Sequence, residues 1–156
     1  MTAALKGTLA LMAALAVTDI APTCAATYLV DDSASAPQES TARLRWRQAA
    51  PTRSNDNSLE GAIVVVVRLN LAPWMNRTGR VFLALPEQGT APVRVAWTTQ
   101  GRLLAGALSP GNRALVFAGP ITTPVVEETL TLQIEADGSR LPGTQRLKFH
   151  FEIDVD

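Results

Sequence analysis

The sole histidine of the chain, His150, stands two residues before Glu152. On an extended backbone that spacing puts an imidazole and a carboxylate on one face, the pairing of a general base with the group that orients it. The pair has no nucleophile to serve. No serine lies in a Gly-x-Ser-x-Gly elbow, and the one cysteine, Cys24, falls in a segment expected to be lost on export. A polar cross-strand ladder is the better reading, so no catalytic residue and no enzymatic activity are expected. The acidic pairs Asp31-Asp32 and Glu127-Glu128 have members that point apart on an extended chain, with no His/Cys cluster beside them. No metal site and no cofactor are expected. Pro110-Gly111-Asn112 and Asp137-Gly138 lack the following helix that a phosphate cradle needs, and read as turns. The run Arg43-Leu-Arg-Trp-Arg47 interleaves cations with an aromatic ring, as single-strand nucleic-acid binders do. A net charge of zero and the export signal argue against a nucleic-acid partner. Trp74, in a Pro-Trp-Met-Asn turn, is a candidate ligand contact that would stack on a sugar ring; the favoured alternative is a plug at one end of the core. Asn76-Arg77-Thr78 matches a glycosylation sequon, a pattern common by chance.

Localisation follows from the N-terminus. Lys6 supplies a positive start, Leu9 to Val17 an apolar run, and Cys24-Ala25-Ala26 the small residues of a cleavage site. Residues 1–26 are therefore expected to be a signal peptide cut after Ala26. Asp19 and Pro22 interrupt the apolar run before it could span a bilayer, so no membrane anchor is expected. Lipidation of Cys24 is the alternative, against which Ala21-Pro22-Thr23 is a poor lipoprotein box. A chain from Thr27 has no cysteine, and its length suits one domain. Charge is lopsided: residues 43–113 hold ten arginines against Asp56, Glu60 and Glu87, and acidic residues dominate afterwards. A folded surface that mixes these charges is the plain reading; opposite ends suited to head-to-tail association are the sharper one.

The elements that would carry any site are strands. From Thr144 to Val155, Leu147, Phe149, Phe151, Ile153 and Val155 alternate with Arg146, Lys148, His150, Glu152 and Asp154, giving one apolar and one wet face. Such a strand needs a covering sheet and a neighbour along its edge. Residues 27–40 read as a flexible leader or donor segment in which only Tyr28, Leu29 and Val30 are apolar enough to dock. From Thr41 to Gln48, Ala42, Leu44 and Trp46 alternate with arginines as a strand. Leu59 to Leu71 contains Val64 to Val67, four valines that fit a strand buried on both faces or covered by a partner. Further strands are expected over Arg80 to Leu85, Val93 to Thr98, from Leu103-Leu104, over Ala114 to Ala118 and over Val125 to Ala136. Seven or eight short strands punctuated by Gly, Pro and Asn predict an all-β domain over residues 41–156. An immunoglobulin-like β-sandwich is favoured and a closed barrel is the alternative.

An export signal, a leader, one all-β domain without catalytic residues and a regular terminal strand together resemble subunits of bacterial chaperone-usher fimbriae. The resemblance implies a sandwich that lacks its last strand and is completed by strand addition. It further implies as partners a periplasmic chaperone, an outer-membrane usher and other fimbrial subunits, with a host or surface receptor for a tip or minor subunit. The destination would be the periplasm in transit and then a cell-surface fimbria. Leu147, Phe149, Phe151, Ile153 and Val155 would floor the groove that takes the donated strand, with Val64 to Val67 as another wall. Ala42, Leu44 and Trp46, or Tyr28 to Val30, would be the donor. The chain departs from many such pilins in lacking a cysteine pair and in having Val155 where an aromatic is common. Two other readings stay open: a self-complete periplasmic or secreted binding module, and an accessory protein of fimbrial assembly.

Overall fold

The computed structural model describes residues 26–38, 41–47, 57–87, 92–141, 143 and 146–155; all of the expected signal peptide but its last residue, Ala26, lies outside the described residues, Cys24 included. The described chain is all-β and contains no α-helix. Its strands are β1 (Ala26–Leu29), β2 (Ala36–Pro37), β3 (Arg45–Trp46), β4 (Ser58–Asn70), β5 (Thr78–Leu85), β6 (Val93–Thr99), β7 (Gly106–Leu108), β8 (Asn112–Pro120), β9 (Val125–Asp137) and β10 (His150–Val155). They form two antiparallel sheets, compatible with a β-sandwich: β1-β10-β5-β8, and β2-β4-β9-β6-β7 with β3 also on β4.

The longest pair sets the frame. β4 and β9 run antiparallel from Ser58 opposite Asp137 to Asn70 opposite Val125. Branched residues on both suit a pleated, half-buried surface. Val67, Leu69, Leu130, Leu132 and Ile134 point inward, and meet Val81, Leu83, Leu85, Phe151, Ile153 and Val155 of the first sheet in one continuous apolar core. The valine run is not sealed on both faces as its composition predicts. Val67 alone is buried; Val64 and Val66 are half-buried on the far face, which carries polar residues such as Thr129 and Gln133, and Val65 is half-buried on the inner face, packed against the core.

Three elements differ from the pattern in the sequence, each for a local reason. The terminal strand begins at His150 and not at Thr144, although Leu147 and Phe149 still pack on the core. His150 lies opposite Ala84, so Lys148 would fall opposite Pro86, which has no N–H to extend a ladder. Leu103-Leu104 is a bend. Glu128 takes the amides of Gly101, Arg102 and Leu103 at 2.9, 2.8 and 3.0 Å, which holds the backbone away from a ladder until Gly106. From Thr41 to Arg47 only Arg45 and Trp46 pair with β4, opposite Glu60 and Leu59.

The uneven charge resolves across strands. Arg47 pairs with Glu60 and Glu135, Arg68 with Glu127, and Arg113 with Glu152 and Asp154, so arginines from the first half meet acids from the second. Gly106 has a packing role of its own. A Cβ there would sit 2.7 Å from Trp97 Cζ2, and the buried indole is fixed by its Nε1–H donating to the Leu104 carbonyl at 2.8 Å. With no room for the ring to yield, Gly106→Ala is expected to cost about 1–3 kcal/mol, measured by chemical unfolding. An unchanged midpoint would mean that Trp97 can shift.

Candidate functional site

The terminal strand is lined on its inner side by Phe151 (4 % exposed), Ile153 and Val155, all sealed in the core. Leu147 and Phe149 are half-buried beside it, off the ladder. One edge of β10 is bonded to β5. The other is taken by β1, antiparallel, from Ala26 opposite Val155 to Leu29 opposite Glu152. The Val30 N–H continues this pairing, donating to the Phe151 carbonyl at 2.9 Å. The chain then crosses to the second sheet. Asn70 N–H donates to the Asp31 carbonyl at 3.0 Å, β2 lies along Val65 and Val66, and Gln38 N–H donates to the Val64 carbonyl at 2.9 Å.

Residues 26–38 thus strap one side of the two sheets, touching the β10 floor and the Val64 to Val67 wall. Val30, at 5 % exposure, is the one buried side chain in the strap; Tyr28 is 47 % and Leu29 71 % exposed. Main-chain pairing carries most of its attachment. Tyr28 also leans on Trp74, with ring centroids 6.1 Å apart and planes at 46°.

Trp74 itself is nearly buried, in the 3-10 turn Ala72–Trp74. Asn76 turns the chain onward with φ 63°, a left-handed conformation that asparagine tolerates better than most residues. Ala42, Leu44 and Trp46 lie inside the second sheet's own edge. Leu44 fills the space over Gly61, and the Trp46 ring covers Gly138 and Leu59.

A polar chain crosses the outer face of the first sheet. Thr27 donates its hydroxyl to Asp154 Oδ1 at 2.6 Å. From two strands away, Arg113 reaches over the Phe82 ring, 4.2 Å from its centroid, and grips both oxygens of Asp154 at 3.2 and 3.1 Å. Its Nη1 also meets Glu152 at 3.2 Å, and Glu152 in turn pairs with His150 Nε2 at 3.1 Å. The His150–Glu152 pair expected from the sequence is therefore part of a cross-strand ladder. Among the described residues no group of three His, Cys, Asp or Glu side chains gathers to hold a metal.

Asp154 is nearly buried, yet its carboxyl is held below the usual carboxylate range. The Thr27 hydroxyl is the largest cause; burial opposes it, and Arg113 and the more distant Arg80 add to it. A carboxyl lowered in the folded state contributes stability present above its unfolded value, near 3.9, and lost as pH falls through the folded value. Asp32 has the opposite sign: burial raises its pKa, so its ionised form weakens the same strap as pH rises. Loosening of β1 is therefore expected on acidification below about pH 4, read by faster exchange of the Val30 amide after correction for intrinsic pH dependence. Unchanged protection into strong acid would show that Asp154 does not hold the strap.

Val30 is among the possible donor residues read from the sequence; Thr27, Arg113 and Asp154 are the ones that sequence reasoning passed over. Asp154 carried a faint signal, its place on the polar face opposite three buried neighbours. A shallow hollow on the outer face of the second sheet is floored by Ala62 and Ala96 and rimmed by Arg94, Gln133 and the Arg47–Glu60 pair. Compared with known proteins, the chain matches no family model and no curated protein.

Proposed function

We propose that this chain is a structural or adhesive subunit of a surface fimbria, exported and assembled by strand addition at the edge of β10 that β1 covers. One observation carries the reading: the edge of the last strand is filled by the N-terminal segment, held almost entirely through its backbone. The sheet orders support an immunoglobulin-like sandwich. In that fold the first, second, fifth and fourth strands form one sheet, and the third, sixth and seventh form the other. Here β2-β4-β9-β6 match the first order and β5-β10 begin the second. The seventh position, beside β10, is taken by β1. A neighbouring copy's segment from Thr27 to Gln38 would pair in the same way in trans, because main-chain pairing does not distinguish chains. A periplasmic chaperone and an outer-membrane usher are the partners this reading requires during export, with other fimbrial subunits afterwards and a receptor for a tip or minor subunit.

The rival reading, a self-complete secreted binding module, draws on the same strap, since it closes the sandwich in cis and leaves the hollow between Ala62 and Ala96 as the place for a ligand. Mixing two differently tagged populations separates the two. Exchange predicts mixed oligomers that grow with concentration and are capped by an excess of peptide of sequence 26–38. A monomer at every concentration, indifferent to the peptide, sinks the fimbrial proposal.

A further inference from the structure

We infer that Asp154 reads the strand lying on β10: it fixes the register and admits segments carrying a hydroxyl residue opposite it with an aliphatic residue three positions later. The inference deepens the strand-addition reading and rests on it for any partner chain, but the register lock applies equally to the strap in cis.

The geometry supports this in three steps. Antiparallel pairs alternate between bonded and non-bonded sites, and the bond from Val30 N–H to Phe151 makes that position a bonded one. Counting back along the ladder, Thr27 opposite Asp154 is then a non-bonded pair, where side chains approach most closely. The Thr27 hydroxyl uses that proximity to reach Asp154 at 2.6 Å.

Second, Asp154 is positioned independently of the strap. Arg113 grips both of its oxygens from β8 while stacked on Phe82 and tied to Glu152, so the acceptor remains in place when β1 departs. An incoming apolar side chain at this position would leave the nearly buried Asp154 Oδ1 with Arg113 as its one donor among the bonds described, losing the shorter of two, and a carboxylate would meet like charge.

Third, the inner face supplies the other half of the code. Val30, on the opposite side of the strand from Thr27, is the strap's one buried side chain, whereas Leu29 and Tyr28 are open to solvent and impose little. A slip of one residue turns Val30 outward and Thr27 inward. A slip of two keeps the faces but takes the hydroxyl off Asp154. The two requirements together select one register.

The test uses amide exchange of Val30 in the chain itself. Thr27→Val is expected to speed it about tenfold, the usual scale for losing a hydrogen bond to a charged acceptor. Thr27→Ser should restore it. In an Asp154→Ala background Thr27→Val should add less than twofold, since the acceptor it addressed is gone. A Thr27→Val effect under twofold in the native chain, or equal effects in both backgrounds, overturns the register lock. Peptides of sequence 26–38 with threonine or valine at the Thr27 position extend the test to a partner strand, and about tenfold weaker capping by the valine form is expected. Should amide exchange follow the pattern while tagged populations never mix, the lock stands and the fimbrial reading falls. Mixing that ignores the substitution gives the reverse.

Discussion

Phe151→Asp is expected to yield no folded protein. The ring lies in the sealed core between β10 and the second sheet, on the residue whose carbonyl accepts the Val30 N–H, among apolar side chains that cannot pair a carboxylate. Loss of a buried phenylalanine alone costs about 3–5 kcal/mol. An unpaired charge in the same space adds several more. A domain of this size has about 5–15 kcal/mol in total, so the sum removes the folded state. Phe149→Asp makes the control. Phe149 is half-buried and off the ladder, where a carboxylate can turn to water, so that variant should fold with a lowered melting temperature. Circular dichroism melts of the two side by side decide the matter. A cooperative melt near the native temperature for Phe151→Asp would mean that the inner face of β10 is not where Phe151, Ile153 and Val155 place it.

That inner face was legible in the sequence because a buried strand face writes itself as alternation, and Phe151, Ile153 and Val155 alternate with polar residues without a break. The same holds for Leu130, Leu132 and Ile134 on β9. Composition misleads where neighbours decide. Val64 to Val67 have the residue types of a strand covered on both sides, but whether the outer face is covered depends on what lies across it, which no local pattern records. Leu103-Leu104 has the makings of a strand start that Glu128, far along the chain, interrupts by taking the Arg102 and Leu103 amides, while the Leu104 amide goes to the Val116 carbonyl. Least legible was β1. Its attachment is main-chain bonding, which any residue but proline supplies, and its one specific polar contact joins Thr27 to a residue at the opposite end of the sequence. The strap's inner face, Ala26, Tyr28 and Val30, alternates too weakly in hydropathy to stand out. The segment is poor in side-chain anchoring, and that poverty hides it from a reading based on side chains.

Val30→Asp follows from the same poverty and should have the second-largest effect, confined to the strap. Removing the only buried side chain of residues 26–38 and placing a carboxylate in its slot should free β1 from β10 while leaving the paired frame of β4 and β9 intact. The loss, about 2–4 kcal/mol, combines an aliphatic burial with a strand's ordering contacts. Tyr28 would lift from Trp74, and the indole would become wet. In a Trp46→Phe background, with Trp97 sealed in the core, the red shift of tryptophan emission reports Trp74. Assembly in trans should cease, because the variant's own segment no longer fits a neighbour. Its β10 edge, however, is untouched and now open, so added native peptide of sequence 26–38 should reverse the emission shift and raise the unfolding midpoint as its concentration rises. A variant that the peptide cannot rescue, though still folded, would mean that the β10 edge does not accept a strand from outside, and strand addition would have to be given up as the working of this protein.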